Sequence, residues 1–167
     1  MAELARQAGC RVALNASPLS GSIPDLDYVD LVMVNEGEAG QLLGKAWHEE
    51  PNLATALGVD AVVMTRGSHG AILDTAEGER VTCAAPSVSA RDTTGCGDAF
   101  SGVLLTGLCA GTENLAASLR KATHWAAYVA EFDGAAASYQ AAFDRARKEQ
   151  LPGIQTKELE RVHNATR

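Results

Sequence analysis

The residues with the clearest chemical meaning are two glycines and an aspartate within residues 91–100. Gly95 and Gly97 flank Cys96 where a loop is predicted to become a helix, and Asp98 follows in the first turn. Glycines there let backbone amides approach a ligand closely, and the helix dipole favours negative charge. Asp98 can then take a proton from an attacking hydroxyl while the amides of residues 95–97 stabilise charge on a transferred phosphoryl group. The alternative, an acid favoured only by the dipole, is about equally supported by this segment alone.

Two further segments place polar residues after predicted buried strands. Asn35 and Glu38 form an N-x-x-E pattern. Taken alone, this pattern is better explained by a helix cap followed by a solvated acid than by a ligand site. A loop of small and polar residues follows the next strand: Thr65, Arg66, Gly67, Ser68, His69 and Gly70. Neither common nucleotide fingerprint is present, because Phe100 replaces the third glycine of a dinucleotide motif and residues 40–46 are too short for a Walker loop.

The elements that must position these residues alternate between strand and helix. Continuous apolar runs predict buried strands at residues 30–34 and 60–65, and shorter strands are predicted at 11–15, 71–74 and 80–83, the last two as a small antiparallel extension. Predicted helices cover residues 2–8, 36–43, 51–57, a long stretch from about 97, another from about 114, and 139–150. Alternation of this kind is typical of an α/β layered domain with a mainly parallel sheet.

Composition restricts the classes of function. The 167 residues carry a net charge of −7, with 21 acidic against 14 basic residues and no basic stripe, which argues against a nucleic-acid partner. No apolar run is long enough to span a membrane and no secretory signal is visible at the start, so a cytoplasmic location is expected. The four cysteines form no C-x-x-C pair, so neither a zinc site nor a disulfide is expected.

The order of the three segments resembles the ribokinase-like (PfkB) carbohydrate kinase family. The D-T-T-G-x-G-D block from Asp92 to Asp98 is highly specific, and the N-x-x-E pair and the T-x-G-S-x-G loop precede it in the family's order. The resemblance runs from about residue 11 to residue 150, is nearest to the ribokinases, and covers the C-terminal half of a family member. It implies a three-layer, Rossmann-like ribokinase fold that lacks the N-terminal part and its β lid.

The resemblance also implies a role for each matching residue in a transfer from ATP to a small sugar. Asp98 matches the catalytic base that touches the sugar hydroxyl, and Gly95, Cys96 and Gly97 match its anion hole. Asn35 matches a residue near the nucleotide phosphates, and Glu38 one that organises Mg²⁺ through water. The loop at residues 65–70 matches the nucleotide loop, and Thr123 falls near a position that lines the adenine pocket.

Ribokinases also bind a monovalent cation such as K⁺, largely through backbone carbonyls. The matching positions are Asp92, Thr94, Val129, Phe132, Gly134 and Ser138. Carbonyl ligands do not depend on side-chain identity, so Val129 and Phe132 neither support nor oppose the match. Cys96 stands where alanine is usual in the family, and a thiol at a helix N-terminus is expected to have a lowered pKa and to be open to oxidation.

The expected organisation is a nucleotide-binding and catalytic part at residues 1–150 and a polar tail at residues 151–167. Without the family's sugar-gripping half, the chain alone is expected to be a weak or inactive kinase. Ribose is the preferred acceptor, while fructokinase, ketodeoxygluconate kinase and nucleoside kinase activities remain open. A catalytically silent nucleotide-binding module and a protein–protein domain are the competing classes, and the sequence predicts no oligomeric state.

Overall fold

Three buried apolar strands form the centre of a five-stranded sheet in the computed structural model, which describes residues 1–110 and 114–149, and side chains except those of residues 110 and 146–149. The strands are β1 (Ala13–Asn15), β2 (Leu31–Asn35), β3 (Ala61–Thr65), β4 (Ala71–Thr75) and β5 (Arg80–Cys83), in that spatial order. Pairing is parallel from β1 to β3 and antiparallel from β3 to β5. Four strands therefore share one direction, which confirms the mainly parallel sheet with an antiparallel extension.

The described residues divide into two compact units, Met1–Ala84 and those that follow from Ala85. The first contains the sheet and the helices α1 (Ala2–Gln7), α2 (Glu36–Leu43) and α3 (Leu53–Leu57). Its core joins the inner strands to α2 and α3 through residues such as Val32, Val62, Met64, Ala39 and Leu53. The helix predicted at 51–57 begins two residues later because the Asn52 side chain caps it, accepting from the Thr55 amide at 2.9 Å.

A buried acid links α3 to the hairpin of β4 and β5. Asp74 has no exposed surface, and its carboxylate accepts from the Leu53 amide and from Nε and Nη2 of Arg80, each at 2.6 Å. A buried charge requires such partners, so the forked guanidinium and the helix amide together make Asp74 tolerable in the core. The local sequence pattern marked Asp74 only as a strand residue.

Up to residue 149, the described part of the second unit contains three helices of equal length: α4 (Cys96–Ala110), α5 (Leu115–Val129) and α6 (Ala135–Glu149). Phe100 and Leu104 on α4 and Leu119 on α5 are buried, as the predicted apolar spacing required. Helix α6 begins at Ala135, four residues before the predicted start, because the Gly134 carbonyl accepts the Ser138 amide at 3.0 Å. The predicted polar tail lies outside the described residues, and within them no helix is long and apolar enough to cross a membrane.

Candidate active site

Asn35 and Thr65 lie side by side at the carboxyl ends of two parallel strands. They are register partners in β2 and β3, the edge of a parallel sheet where ligands commonly bind. Asn35 caps α2: its Oδ1 accepts from the Glu38 amide at 2.9 Å, and its own amide donates to Glu38 Oε2 at 2.8 Å. The helix-cap interpretation is therefore correct, but Glu38 is a buried residue rather than a solvated acid. One of its carboxylate oxygens is committed to the cap.

The loop that follows Thr65 is held in shape by its own backbone. The Arg66 amide donates to the Gly70 carbonyl at 2.7 Å, and the Gly70 amide donates to Gly67 at 3.1 Å. Gly67 and Gly70 have φ of 53° and 89°, values that glycine adopts without a steric penalty. Ser68 and His69 are exposed at the tip of this turn. The sequence therefore builds a closed loop whose outer face is available to a ligand.

Two residues that the sequence did not single out hold the side chain of Arg66. Its guanidinium carbon lies 5.4 Å from the centroid of the Trp47 ring, and its Nε lies 3.6 Å from Oε1 of Glu36. Such a stack and ion pair keep a long cation in place beside the loop. Neither contact has a local sequence signal, because both partners are distant from Arg66 in sequence. Trp47 belongs to a short 3₁₀ helix (Trp47–Glu49) after α2, and Glu36 is the first residue of α2.

In the second unit, the start of α4 has the arrangement that an anion site needs. Gly95 has φ of 82°, and its carbonyl accepts from the Ala99 amide at 2.9 Å, the first bond of the helix. The amides of Gly95, Gly97 and Asp98 have no backbone acceptor in the part of the chain that the structure describes. The Cys96 amide, which was predicted to belong to the anion hole, differs from that prediction because it donates to the Thr93 carbonyl at 3.2 Å. The amides that remain available to bind an anion are therefore mainly those on either side of Cys96.

Asp98 projects from the first turn of α4 and is exposed. No described residue forms an ion pair with it, so its carboxylate is not committed to a structural role. Its charge reaches Tyr139 on α6, whose pKa is raised first by burial and then by Asp98 and Cys96. A solvent-accessible carboxylate beside unpaired amides can accept a proton from a bound hydroxyl.

Cys96 corrects one expectation. The pKa of its thiol is raised, first because the side chain is partly buried and then because of the nearby Asp92 carboxylate. The expected lowering at a helix N-terminus is therefore wrong for this residue. Burial and a neighbouring negative charge both disfavour the thiolate, which makes Cys96 a poorer target for oxidation than its position suggested.

The residues predicted to hold a monovalent cation all lie in the second unit, and several are bonded to one another. Asp92 accepts from the Thr94 amide through Oδ1 and from the Gly134 amide through Oδ2, both at 2.9 Å. The Val129 carbonyl accepts from the Phe132 amide at 3.2 Å, in the turn before Gly134. Ser138 is fully buried, and its hydroxyl donates to the Ala135 carbonyl at 2.7 Å.

These bonds make the stability of the second unit depend on pH, with stability lost as the pH falls. The pKa of Asp92 is lowered because the amide and hydroxyl of Thr94, and then the Gly134 amide, donate to its carboxylate. A lowered folded-state pKa gives stability that is complete above the ordinary aspartate value of about 3.9 and is lost as the pH falls through the folded-state value.

We therefore expect Asp92→Asn to lower the thermal midpoint at neutral pH and to flatten its fall below about pH 4. Unfolding followed by circular dichroism across the acid range measures both effects. Asp144→Asn, an exposed aspartate on α6 bonded to the Gln140 side chain, should follow the parent curve. An Asp92 variant that keeps the parent's acid dependence contradicts the prediction.

Thr123 is buried in α5, and its hydroxyl donates to the Leu119 carbonyl one turn earlier at 2.8 Å. This bond satisfies the side chain inside its own helix. Its assignment to an adenine pocket stays a prediction. The structure thus gathers Asn35 and residues 65–70 in the first unit, and the helix start and candidate cation ligands in the second.

Comparison with known proteins identifies the protein family. Residues 1–142 match the pfkB family of carbohydrate kinases. The chain belongs to that family. It is 33% identical over 150 residues to a ribokinase of Schizosaccharomyces pombe, an alignment that covers 81% of this chain and 46% of that protein.

Solved structures agree with the assignment of this chain to the pfkB family. Arabidopsis thaliana ribokinase complexed with ribose and ATP superposes with a TM-score of 0.75 at 25% identity, over 86% of this chain and 49% of that one. Aminoimidazole riboside kinase of Salmonella enterica, complexed with aminoimidazole riboside and an ATP analogue, gives 0.69 at 28% identity, over 84% and 54%. The ribokinase-like fold class is thereby confirmed, and the chain spans about half the length of these relatives.

Proposed function

We propose that the protein transfers the terminal phosphoryl group of ATP to a sugar hydroxyl, with ribose as the preferred acceptor and ribose 5-phosphate as the product. The single observation that carries this proposal is the exposed Asp98 carboxylate in the same helix turn as amides that lack a backbone acceptor. Family membership and the ribokinase relatives support the choice of reaction and of sugar.

In the proposed reaction Asp98 accepts the proton of the attacking hydroxyl. The amides of Gly95, Gly97 and Asp98 then stabilise the charge that develops on the equatorial oxygens of the moving phosphoryl group. Little covalent chemistry is required of the protein, because phosphoryl transfer depends mostly on positioning and on charge stabilisation. A helix start that already points donors at the ligand costs no reorganisation when the reaction occurs.

Nucleotide binding is assigned to the remaining candidate residues. The closed loop of residues 65–70 presents Ser68 and His69, and Asn35 lies beside Thr65 at the same sheet edge. We assign these residues to the ATP phosphates and ribose, and Thr123 to the adenine pocket by family resemblance. The preformed loop supports this assignment, since a ligand that binds it pays little ordering entropy.

Two cations are part of the proposal. No described cluster of three or more His, Cys, Asp or Glu side chains can hold a metal ion. The residues nevertheless fit a Mg²⁺ that is held mainly by ATP phosphates and waters, because Glu38 keeps one carboxylate oxygen outside its cap bond. When bound, Mg²⁺ would neutralise phosphate charge.

A K⁺ ion would be held by the second group: Asp92, Thr94, Val129, Phe132, Gly134 and Ser138. The carbonyls of Val129 and Gly134 each accept one bond and retain a second lone pair, which fits oxygen coordination. Because Asp92 precedes the helix start and bonds Gly134, the ion would fix the loop that carries the anion-binding amides.

The test is an isotope-transfer assay with labelled ATP, Mg²⁺ and either K⁺ or Na⁺. Ribose is expected to accept label fastest, at a low absolute rate that is higher in K⁺ than in Na⁺. The aminoimidazole riboside kinase relative favours a second candidate, a kinase of ribosides, so a nucleoside, fructose and ketodeoxygluconate belong in the same assay. Faster transfer to one of these replaces ribose as the acceptor, and binding of ATP without transfer to any of them supports a silent nucleotide-binding module.

A further inference from the structure

Tyr139 lies against the glycine that opens α4, although the two are 44 residues apart in sequence. Its hydroxyl donates to the Gly95 carbonyl at 3.0 Å. The same carbonyl accepts the Ala99 amide at 2.9 Å, so one oxygen both starts α4 and ties it to α6. A Cβ placed on Gly95 would lie 2.5 Å from the tyrosine oxygen, which shows that the two residues are in close contact.

The peptide joining Gly95 to Cys96 is the part of the site that this bond controls. A carbonyl and the following amide share one rigid plane, so fixing the Gly95 oxygen also fixes the Cys96 amide, which donates to the Thr93 carbonyl at 3.2 Å, and with it the backbone that leads to the Gly97 amide. Glycine has the widest choice of backbone conformations, and Gly95 adopts a positive φ of 82°. Two glycines around a phosphate therefore need an external restraint if their amides are to keep one direction.

Helix α6 supplies that restraint at two points. Besides the bond from Tyr139, its preceding residue Gly134 donates to Asp92, three residues before Gly95. The segment from Asp92 to Gly95 is thus bonded to the start of α6 at both of its ends.

We propose that Tyr139 is a positioning residue for the phosphoryl-binding amides, holding the peptide between Gly95 and Cys96 through its hydroxyl without touching the transferred group. The inference rests on the proposed function, because fixing this peptide affects catalysis only if the neighbouring amides bind the transferred phosphoryl group. It assigns a role to a side chain that lies outside the D-T-T-G-x-G-D motif.

Tyr139→Phe tests the proposal by removing one oxygen and keeping the ring. Amide hydrogen exchange, followed by NMR, should become about fivefold faster at Cys96 and Ala99, as expected for loss of one hydrogen bond of ordinary net strength. Calorimetry should show that a non-hydrolysable MgATP analogue loses affinity roughly threefold to tenfold more than MgADP does. A role in packing alone would weaken both nucleotides alike.

Tyr128→Phe is the matched control. Tyr128 belongs to the same apolar cluster, and its ring lies 4.8 Å beneath the Arg145 guanidinium. We expect it to leave the exchange rates and the ratio of the two affinities unchanged. Unchanged exchange in Tyr139→Phe, or equal loss of both nucleotides, overturns the inference. A parent protein that binds neither nucleotide overturns the proposed function and this role with it, an outcome visible in the parent and not in the variant.

Discussion

Asp98→Asn is expected to lower the rate of phosphoryl transfer by about 10²- to 10⁴-fold, the usual contribution of a positioned general base. The amide has the shape of the carboxylate but cannot take the proton of the attacking hydroxyl. Folding should be almost unaffected, because Asp98 is exposed and no described residue forms an ion pair with it. Affinity for MgATP should be kept or slightly increased, since one negative charge near the phosphates is removed.

The measurement pairs isotope transfer with calorimetry of MgATP binding. Asp144→Asn removes the same charge from an exposed site on α6 and should retain the parent's rate. Transfer by Asp98→Asn within threefold of the parent would show that another group is the base. A parent that binds MgATP but transfers nothing would favour the nucleotide-binding module, and one that binds no nucleotide would favour a protein–protein domain.

Local patterns predicted the scaffold well because each pattern is set by neighbours in sequence. The runs around Val32 and Val62 are apolar without alternation, which in a strand means cover on both faces, and both residues are fully buried. The hairpin of β4 and β5 followed from two β-prone segments around Gly78, which has φ of 87°. The helix start at Cys96 followed from the glycine pair that flanks it.

Contacts between distant residues could not be predicted in this way. Nothing near Tyr139 in sequence marks it as a partner of Gly95, and nothing near Arg80 marks it as the partner of a buried Asp74. The raised pKa of Cys96 has the same origin, because it depends on burial by side chains from elsewhere in the fold. The first residues of α6 are alanines and a serine, which give no apolar periodicity, so the prediction began at Tyr139 and missed one turn.

The motif residues lie between these two cases, because the sequence predicted their positions but not all of their contacts. Asn35 and Glu38 were identified from spacing, and the spacing of three is what a capping box requires. The cap bond uses one carboxylate oxygen of Glu38 and leaves the other for the proposed contact with Mg²⁺ through water. The bonds of Asp92 to Thr94 and Gly134 shape the loop with or without K⁺. In Glu38 the cap bond and the proposed ligand role are carried by different carboxylate oxygens, whereas both carboxylate oxygens of Asp92 already accept a structural bond, and each retains a further lone pair.

Gly95→Ala is expected to be the most damaging single change at the site, lowering the free energy of unfolding by about 2–6 kcal/mol and abolishing phosphoryl transfer. A positive φ costs a residue with a Cβ roughly 1–3 kcal/mol, and overpacking costs about as much again. Here the new methyl would lie 2.5 Å from the Tyr139 oxygen and 2.9 Å from the Ala135 Cβ, so α6 or the loop must move. Either movement turns the neighbouring amides away from the phosphoryl group.

Two variants separate backbone strain from this overlap, with urea unfolding as the measurement. Gly78→Ala shares the positive φ but has nothing within 4 Å of its added Cβ, so it should lose only about 1–3 kcal/mol. Adding Tyr139→Phe to Gly95→Ala removes the nearest obstacle and should recover part of the loss, leaving the contacts with the Ala135 Cβ and, at 3.2 Å, with the ring carbon Cζ of residue 139. Equal losses for Gly95→Ala and Gly78→Ala, with no recovery in the double variant, would mean that α6 does not pack on Gly95 and that the helix start is held by its own backbone alone.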